Sequence, residues 1–514
     1  MTEPLQRVGR SRVPAGKGLF IRLDPRARES LQSQVYTAVR SAILNGTLAP
    51  GAALPSSRAL ALELGVSRTT TLLAFEQLEA EGYLTARRGS GTFVAPELPD
   101  DLPAVGGQRP AIESRHPPLS RRGRAIAAIP PAAVRAGPAV RPFRIGVPAL
   151  DRFPIQLWTS LVTSRLRSAT LQQLDYGDAA GLPALREAIA DHVNRARGTE
   201  CQAGQVVVVA GAQRGLELVC RLLLDEGDAA LLEDPGYPGA RSALVSAGAR
   251  VVPAHVDEEG LDVEALMRHG SGARLLYVTP SHQFPLGVTL SLPRRLALLR
   301  WAGRARAWIV EDDYDSEFRY GAHPIPCLHG LDTEGRVIYV GSFSKTLFPA
   351  LRLGFVIVPA DLQETVRAVQ RASGHSPASA DQAALAELMS RGHFDRHVRR
   401  MRSVYRERAE ALATAILRHA RGAINMRPIQ AGLHAVGDLD GVEAEAVFRE
   451  AAARGVEVMP LSAYRLGRTR SDNALVLGFG GVGPDAIARG VERLAGAIDA
   501  VRRASRAGRR RRRP

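Results

Sequence analysis

The sequence predicts a small α+β unit over residues 27–94, followed over residues 143–500 by a large α/β unit with a mainly parallel sheet, helices on both faces and a small C-terminal α+β segment. Three observations carry this. Residues 27–94 run helix, helix, tight Gly-containing turn, helix, hairpin. From residue 143 short β-branched runs alternate with amphipathic stretches, the pattern of strands paired in parallel through helical crossovers. Between the two units, residues 95–142 are rich in Pro, Gly, Ala and Arg without apolar periodicity, the composition of a linker with little fixed structure.

In the small unit, Leu31, Val35, Val39 and Ile43 recur at helical spacing up to Gly46. A second helix starts at an N-cap, Ser56 or Ser57, and stops at Gly65. A third starts at Ser67 and is expected to give Leu72 and Phe75 to the core with Leu78 and Leu84. TARRGSGTFVA then reads as two short strands about a Gly-Ser-Gly turn. This is the element order of a winged helix-turn-helix, in which the third helix enters the major groove. Ser67, Arg68, Thr69 and Thr70 at its start, Arg58 on the second helix, and Arg88 with Gly89 in the wing are the candidate contacts to double-stranded DNA.

Composition bounds the function. The 514 residues are 45% hydrophobic and 23% charged, ordinary globular proportions. No run of about 18 apolar residues suggests a membrane span, and MTEPLQRVGRSRVPAGKG lacks an apolar leader core, so a cytoplasmic protein, nucleoid-associated when bound to DNA, is expected. Cys201, Cys220 and Cys327 are too scattered for a disulfide framework or a cysteine-built zinc site. The net charge of +16 sits at the two ends: residues 1–142 carry 19 basic against 11 acidic residues, and residues 501–514 carry eight Arg and no acid. Basic ends on a neutral body suit a polyanionic partner, although an Arg-rich tail can equally be only solvated.

Of 68 basic residues only Lys17 and Lys345 are lysines. Lysine, unlike arginine, can shed its proton and form a Schiff base. Lys345 lies in YVGSFSKTLFPALRLG at the carboxyl end of a predicted strand, where α/β sheets bind ligands, and Ser342, Ser344 and Arg352 around it suit a phosphate. An amine beside a phosphate cradle is what pyridoxal 5′-phosphate requires. Upstream, Glu311, Asp312, Asp313 and Asp315 end another strand; alone they could equally hold a divalent metal, and beside Lys345 a carboxylate for a pyridine nitrogen is the better reading.

On these motifs residues 143–500 resemble fold-type I, aspartate aminotransferase-like enzymes, and residues 27–94 resemble the GntR winged helix. Together, in this order, they resemble MocR/GabR-type transcription regulators. The resemblance implies that Lys345 forms the internal aldimine, with Ser342, Ser344, Arg352 and the backbone at Ala212 and Gln213 on the phosphate. It implies further that Asp312 pairs with the pyridine nitrogen, that Tyr314 bonds the 3′-oxygen and that Tyr237 stacks on the ring. Tyr176 would reach the neighbouring subunit of a head-to-tail homodimer, and a small-molecule amine or the cofactor itself would be the effector. An active aminotransferase with an appended DNA-binding unit is the alternative.

Two departures bear on the alternative. Where aminotransferases usually read Asn-Pro-x-Gly, this chain reads His282-Gln283-Phe284-Pro285-Leu286-Gly287, and where they carry an arginine for a substrate carboxylate it has Val476, with Arg465, Arg468 or Arg470 as conceivable substitutes. GFGGVG at residues 478–483 matches a dinucleotide-binding fingerprint, but too little chain follows to complete a βαβ unit.

Overall fold

The computed structural model describes residues 21, 23–25, 27, 29–87, 91–99, 119–129, 140–269, 272–321, 326–374, 376–467 and 473–511. The chain divides into two units, Met1–Pro118 and Leu119–Pro514.

In the first unit three helices, Leu31–Leu44, Ser57–Leu64 and Arg68–Ala80, each start at a serine whose hydroxyl accepts a backbone N–H of the first turn: Ser30, Ser56 and Ser67. The second cap is therefore Ser56. Val35, Val39, Leu60, Phe75, Leu78 and Val94 form the core. The third helix buries Thr71, Ala74, Phe75 and Leu78, a strict i, i+3, i+4, i+7 stripe. Leu72, expected in the core, falls one position off that stripe and is 38% exposed. Thr71 replaces it, and its hydroxyl donates to the carbonyl of Ser57 at 2.8 Å, tying third helix to second. The hairpin strands Leu84–Arg87 and Gly91–Val94 are joined by a third, Ala53–Leu54, against the outer edge of Gly91–Val94. At two residues it is too short to show as a periodicity.

The second unit is built on an eight-stranded sheet. Its order is Val206–Val209, Gly354–Ile357, Val337–Ser342, Trp308–Asp313, Ala273–Val278, Ala229–Asp234, Arg250–Asp257, Gly260–Leu261. The short β-branched runs of the sequence supply six of these strands, those beginning at Val206, Ala229, Arg250, Ala273, Trp308 and Val337. Gly354–Ile357 adds an antiparallel strand between two of them, and Gly260–Leu261 an antiparallel edge. Val206–Val209 is buried throughout, as a strand covered on both faces must be. The C-terminal part forms an antiparallel sheet in the order Ile424–Met426, His434–Leu439, Ala474–Gly478, Met459–Pro460.

Two features differ from expectation, and a third bears on a motif set aside above. Within the stretch read as a linker, Arg121–Ala127 is a helix that packs on Pro238–Ala247, with Arg122 paired to Glu226 at 3.3 Å. The last helix, Pro484–Arg511, runs through residue 500, so the basic tail begins as its continuation. The glycines of GFGGVG serve packing: a Cβ on Gly480 would lie 2.8 Å from the Val147 carbonyl oxygen, and one on Gly478 2.3 Å from that of Arg144. The segment entering the unit passes directly over them. Among the described residues no helix is long and apolar enough to cross a membrane.

Candidate functional site

The carboxyl ends of Trp308–Asp313 and Val337–Ser342, parallel neighbours in the sheet, bring the acidic cluster and Lys345 together. Beyond the second strand the backbone N–H of Ser344 donates to the Ser342 hydroxyl at 3.2 Å, shaping the turn that carries Lys345. The lysine ammonium donates to the Gly146 carbonyl oxygen at 2.7 Å. Gly146 has φ +79°, and a Cβ there would lie 3.0 Å from Nζ, so a side chain would collide with the amine. Burial lowers the Lys345 pKa, against the opposing pull of Asp315 and Asp312, and so favours the nucleophilic form.

Strand alternation sorts the carboxylates. Glu311 accepts the backbone N–H groups of Leu328 and His329 at 3.0 and 2.9 Å. Asp313 pairs with Arg197 at 2.8 Å and accepts the Tyr339 hydroxyl at 2.6 Å. Asp312, between them, accepts the Tyr277 hydroxyl on Oδ2 at 2.7 Å, while its Oδ1 is buried without a partner. Burial pushes its pKa up to about 7. With each acid committed to different partners, the divalent-metal reading loses its shared centre. Among the described residues the group with metal-ligand proximity is instead His282, Asp315 and His434. These are spent on hydrogen bonds: His282 Nδ1 lies 3.0 Å from Asp315 Oδ1, and His434 Nε2 3.1 Å from the Pro285 carbonyl oxygen.

Helix Ala212–Leu223 begins after Gly211 (φ +85°) with no side chain capping it, which leaves the amides at Ala212 and Gln213 for an anion. Arg352 is exposed and left-handed at φ +53°, an uncommon conformation for a residue with a side chain. The Tyr237 ring meets Phe284 edge to face at 5.7 Å, and burial raises its hydroxyl to about 12. The Tyr314 hydroxyl lies 3.0 Å from His282 Nδ1. Tyr176 is 101% exposed, near Leu171 and Leu174 at 87% and 69%. In the small unit, Arg58, Arg68 and Thr69 are exposed at the helix starts. The Ser67 hydroxyl caps Thr70 N–H at 3.1 Å and shares a 2.8 Å bond with the Thr70 hydroxyl, so these two are occupied in building the helix start. Arg88 and Gly89 lie outside the described residues.

Residues 157–492 match the family Aminotransferase class I and II, and residues 31–94 match Bacterial regulatory proteins, gntR family. The probable rhizopine catabolism regulatory protein MocR of Rhizobium meliloti is 39% identical over 93% of this chain and 96% of its own length. The chain belongs to the MocR type of GntR-family transcription regulators. The pyridoxine biosynthesis regulator PdxR of Corynebacterium glutamicum is 35% identical over 90% of this chain and 94% of its own. Among solved structures, the α-aminoadipate aminotransferase LysN of Thermus thermophilus, complexed with N-(5′-phosphopyridoxyl)-L-leucine, is 31% identical with a TM-score of 0.65, over 74% of this chain and 95% of that one. These matches make the chain a DNA-binding regulator with an aminotransferase-like body.

Val476 stands where aminotransferases usually carry an arginine for a substrate carboxylate. The side chain is fully buried with Val436, Leu461 and Ala474, and Ile145, Leu286 and Tyr464 pack on the group. Ile145, which packs on this apolar group, directly precedes Gly146, whose carbonyl oxygen accepts the Lys345 hydrogen bond. Arg465 donates to the Asp234 carbonyl oxygen at 2.8 Å, and Arg468 and Arg470 lie outside the described residues. Several site residues gave no readable signal in the sequence. Tyr277 sits in a strand run where an aromatic reads as core, and Gly146 and His434 arrive from distant parts of the chain. His282 and Asp315 stand in motifs that the sequence singles out, but without an assignable role.

Proposed function

We propose that this regulator binds pyridoxal 5′-phosphate through Lys345 and that a small-molecule amine, or the cofactor itself, sets its hold on a double-stranded DNA operator. The observation that carries the reading is Asp312: a fully enclosed carboxylate with one satisfied and one unpartnered oxygen, electrostatically coupled to Lys345. Such an oxygen fits a protonated pyridine nitrogen. When bound, the cofactor supplies a carbonyl that exchanges reversibly between amines. Lys345 is the nucleophile for it. Ser342, Ser344, Arg352 and the amides at Ala212 and Gln213 hold the phosphate, Tyr237 lies against the ring, and Tyr314 addresses the 3′-oxygen. The exposure of Tyr176 with Leu171 and Leu174 supports a head-to-tail homodimer in which this tyrosine completes the second copy's site. Arg58, Arg68, Thr69, Arg88 and Gly89 address the operator, with Ser67 and Thr70 shaping the helix start, in a protein working at the nucleoid.

The apolar surroundings of Val476 favour an amine without an α-carboxylate and count against sustained amino-acid transamination. A footprint on DNA upstream of the gene, with and without pyridoxal phosphate and beside Lys345→Ala, tests the reading. A repeated half-site whose protection depends on cofactor and on Lys345 is expected. Protection indifferent to both would separate the two units, and no protection with rapid transfer to a 2-oxo acid would make the protein an enzyme.

A further inference from the structure

His282 Nδ1 has three oxygens around it: Asp315 Oδ1 and Oδ2 at 3.0 and 3.1 Å, and the Tyr314 hydroxyl at 3.0 Å. A ring nitrogen offers a proton or a lone pair, never both. If Nδ1 carries the proton and donates it to ionised Asp315, it has no lone pair for Tyr314, whose own O–H is left free to donate elsewhere. If the proton sits on Nε2, Nδ1 takes the Tyr314 proton instead. Asp315 thus decides which way Tyr314 points its hydrogen. The ring fills the space that side chains at two glycines would take: a Cβ on left-handed Gly432 would lie 2.0 Å from His282 Cε1, and one on Gly287 3.3 Å from Nε2.

We propose that His282 and Asp315 are a positioning pair that keeps the Tyr314 proton aimed at the cofactor's 3′-oxygen and thereby lowers the pH at which Lys345 Nζ, once joined to the cofactor, gives up its proton. In the Asn-Pro-x-Gly register the asparagine position falls on Phe284, two residues beyond His282. The proposal rests on Lys345 being the cofactor lysine. A hydrogen bond donated to the 3′-oxygen draws negative charge away from the neighbouring nitrogen and makes its proton easier to lose. The other groups facing the pair are His434, 4.9 Å between ring centroids and held neutral by burial, together with Lys345, Arg319 and the carboxylates Asp312, Asp313, Glu317 and Glu233. None of these supplies Nδ1 with a competing acceptor among the described contacts.

The test is the pH titration of the bound cofactor's absorbance in the full-length, cofactor-loaded protein. Tyr314→Phe, which deletes the donor, should raise the midpoint by about one unit, a tenfold gain in proton affinity. His282→Leu should move it the same way, since Asp315 is then free to take the Tyr314 proton. In the Tyr314→Phe background His282→Leu should add nothing, because both act through one hydroxyl. His282→Asn, which puts an amide donor back, should return the midpoint toward the wild type. If His282→Leu does not fold, His282→Met, which likewise offers Asp315 no N–H donor, carries the same expectation. A His282 variant that leaves the midpoint in place while Tyr314→Phe moves it, or shifts that simply add, overturns the proposal. Absence of any lysine-linked absorbance in the wild type would instead overturn the reading of Lys345, and this proposal with it.

Discussion

Asp312→Asn has opposite effects on the empty and the loaded protein. In the empty site burial raises the Asp312 pKa from 3.8 to about 7. The folded state therefore favours the protonated acid, and stability is fullest below the unfolded pKa and falls as pH rises from about 4 to about 7. At 1.36 kcal/mol per unit the ceiling on that loss is about 4 kcal/mol at pH 8. Relaxation and water entry in the unliganded site bring the expected figure to about 2 kcal/mol. An asparagine can still accept the Tyr277 hydroxyl and carries no charge. Cofactor-free Asp312→Asn should therefore melt about 2–3 °C above wild type at pH 8 for a unit of this size, the advantage shrinking toward pH 4. Pyridoxal phosphate should reverse the order, because only the carboxylate can pair with a protonated pyridine. The assay is thermal unfolding at pH 5 and 8, with and without cofactor. An empty variant less stable than wild type at pH 8, or equal stabilisation of both by pyridoxal phosphate, would refute the reasoning.

Three further outcomes follow from the same structure. Val476→Arg places an unpaired charge among Val436, Leu461 and Ala474 and should cost about 4 kcal/mol in thermal unfolding without creating amino-acid transfer. Ser67→Ala should destabilise the small unit by about 1 kcal/mol through its cap, whereas Arg68→Ala should leave its melting unchanged while lowering the salt slope of operator binding by about one. Leu171→Asp, at a site 87% exposed in the single chain, should shift the sedimenting species from dimer to monomer while leaving the helical signal intact.

What could be read in the sequence follows from where each signal originates. The six long sheet strands are legible because a strand covered on both faces must be continuously apolar, and VVVV or WIV is hard to accommodate otherwise. Ala53–Leu54 and Gly354–Ile357 are not, since the first has only two residues and the second starts inside the motif that carries Lys345. Leu72 misleads because its apolar side chain argues for the core while helical phase assigns the place to Thr71. Lys345 and Asp312 stand out by chemistry that their local sequence does not otherwise need. Tyr277, His434 and Gly146 do not, because their roles exist only once separate strands and the incoming segment meet. Tyr314 was legible as a cofactor contact, but its bond to His282 depends on a tertiary approach that no local pattern encodes.

The Gly146 carbonyl belongs to the first stretch of backbone to enter the body after the linker, the stretch pressed on Gly478 and Gly480. Lys345 is thus a clasp within the second unit: its ammonium holds the backbone where the chain enters that unit. Any bond made at that nitrogen is therefore made at the expense of this hold on the chain where it enters the second unit.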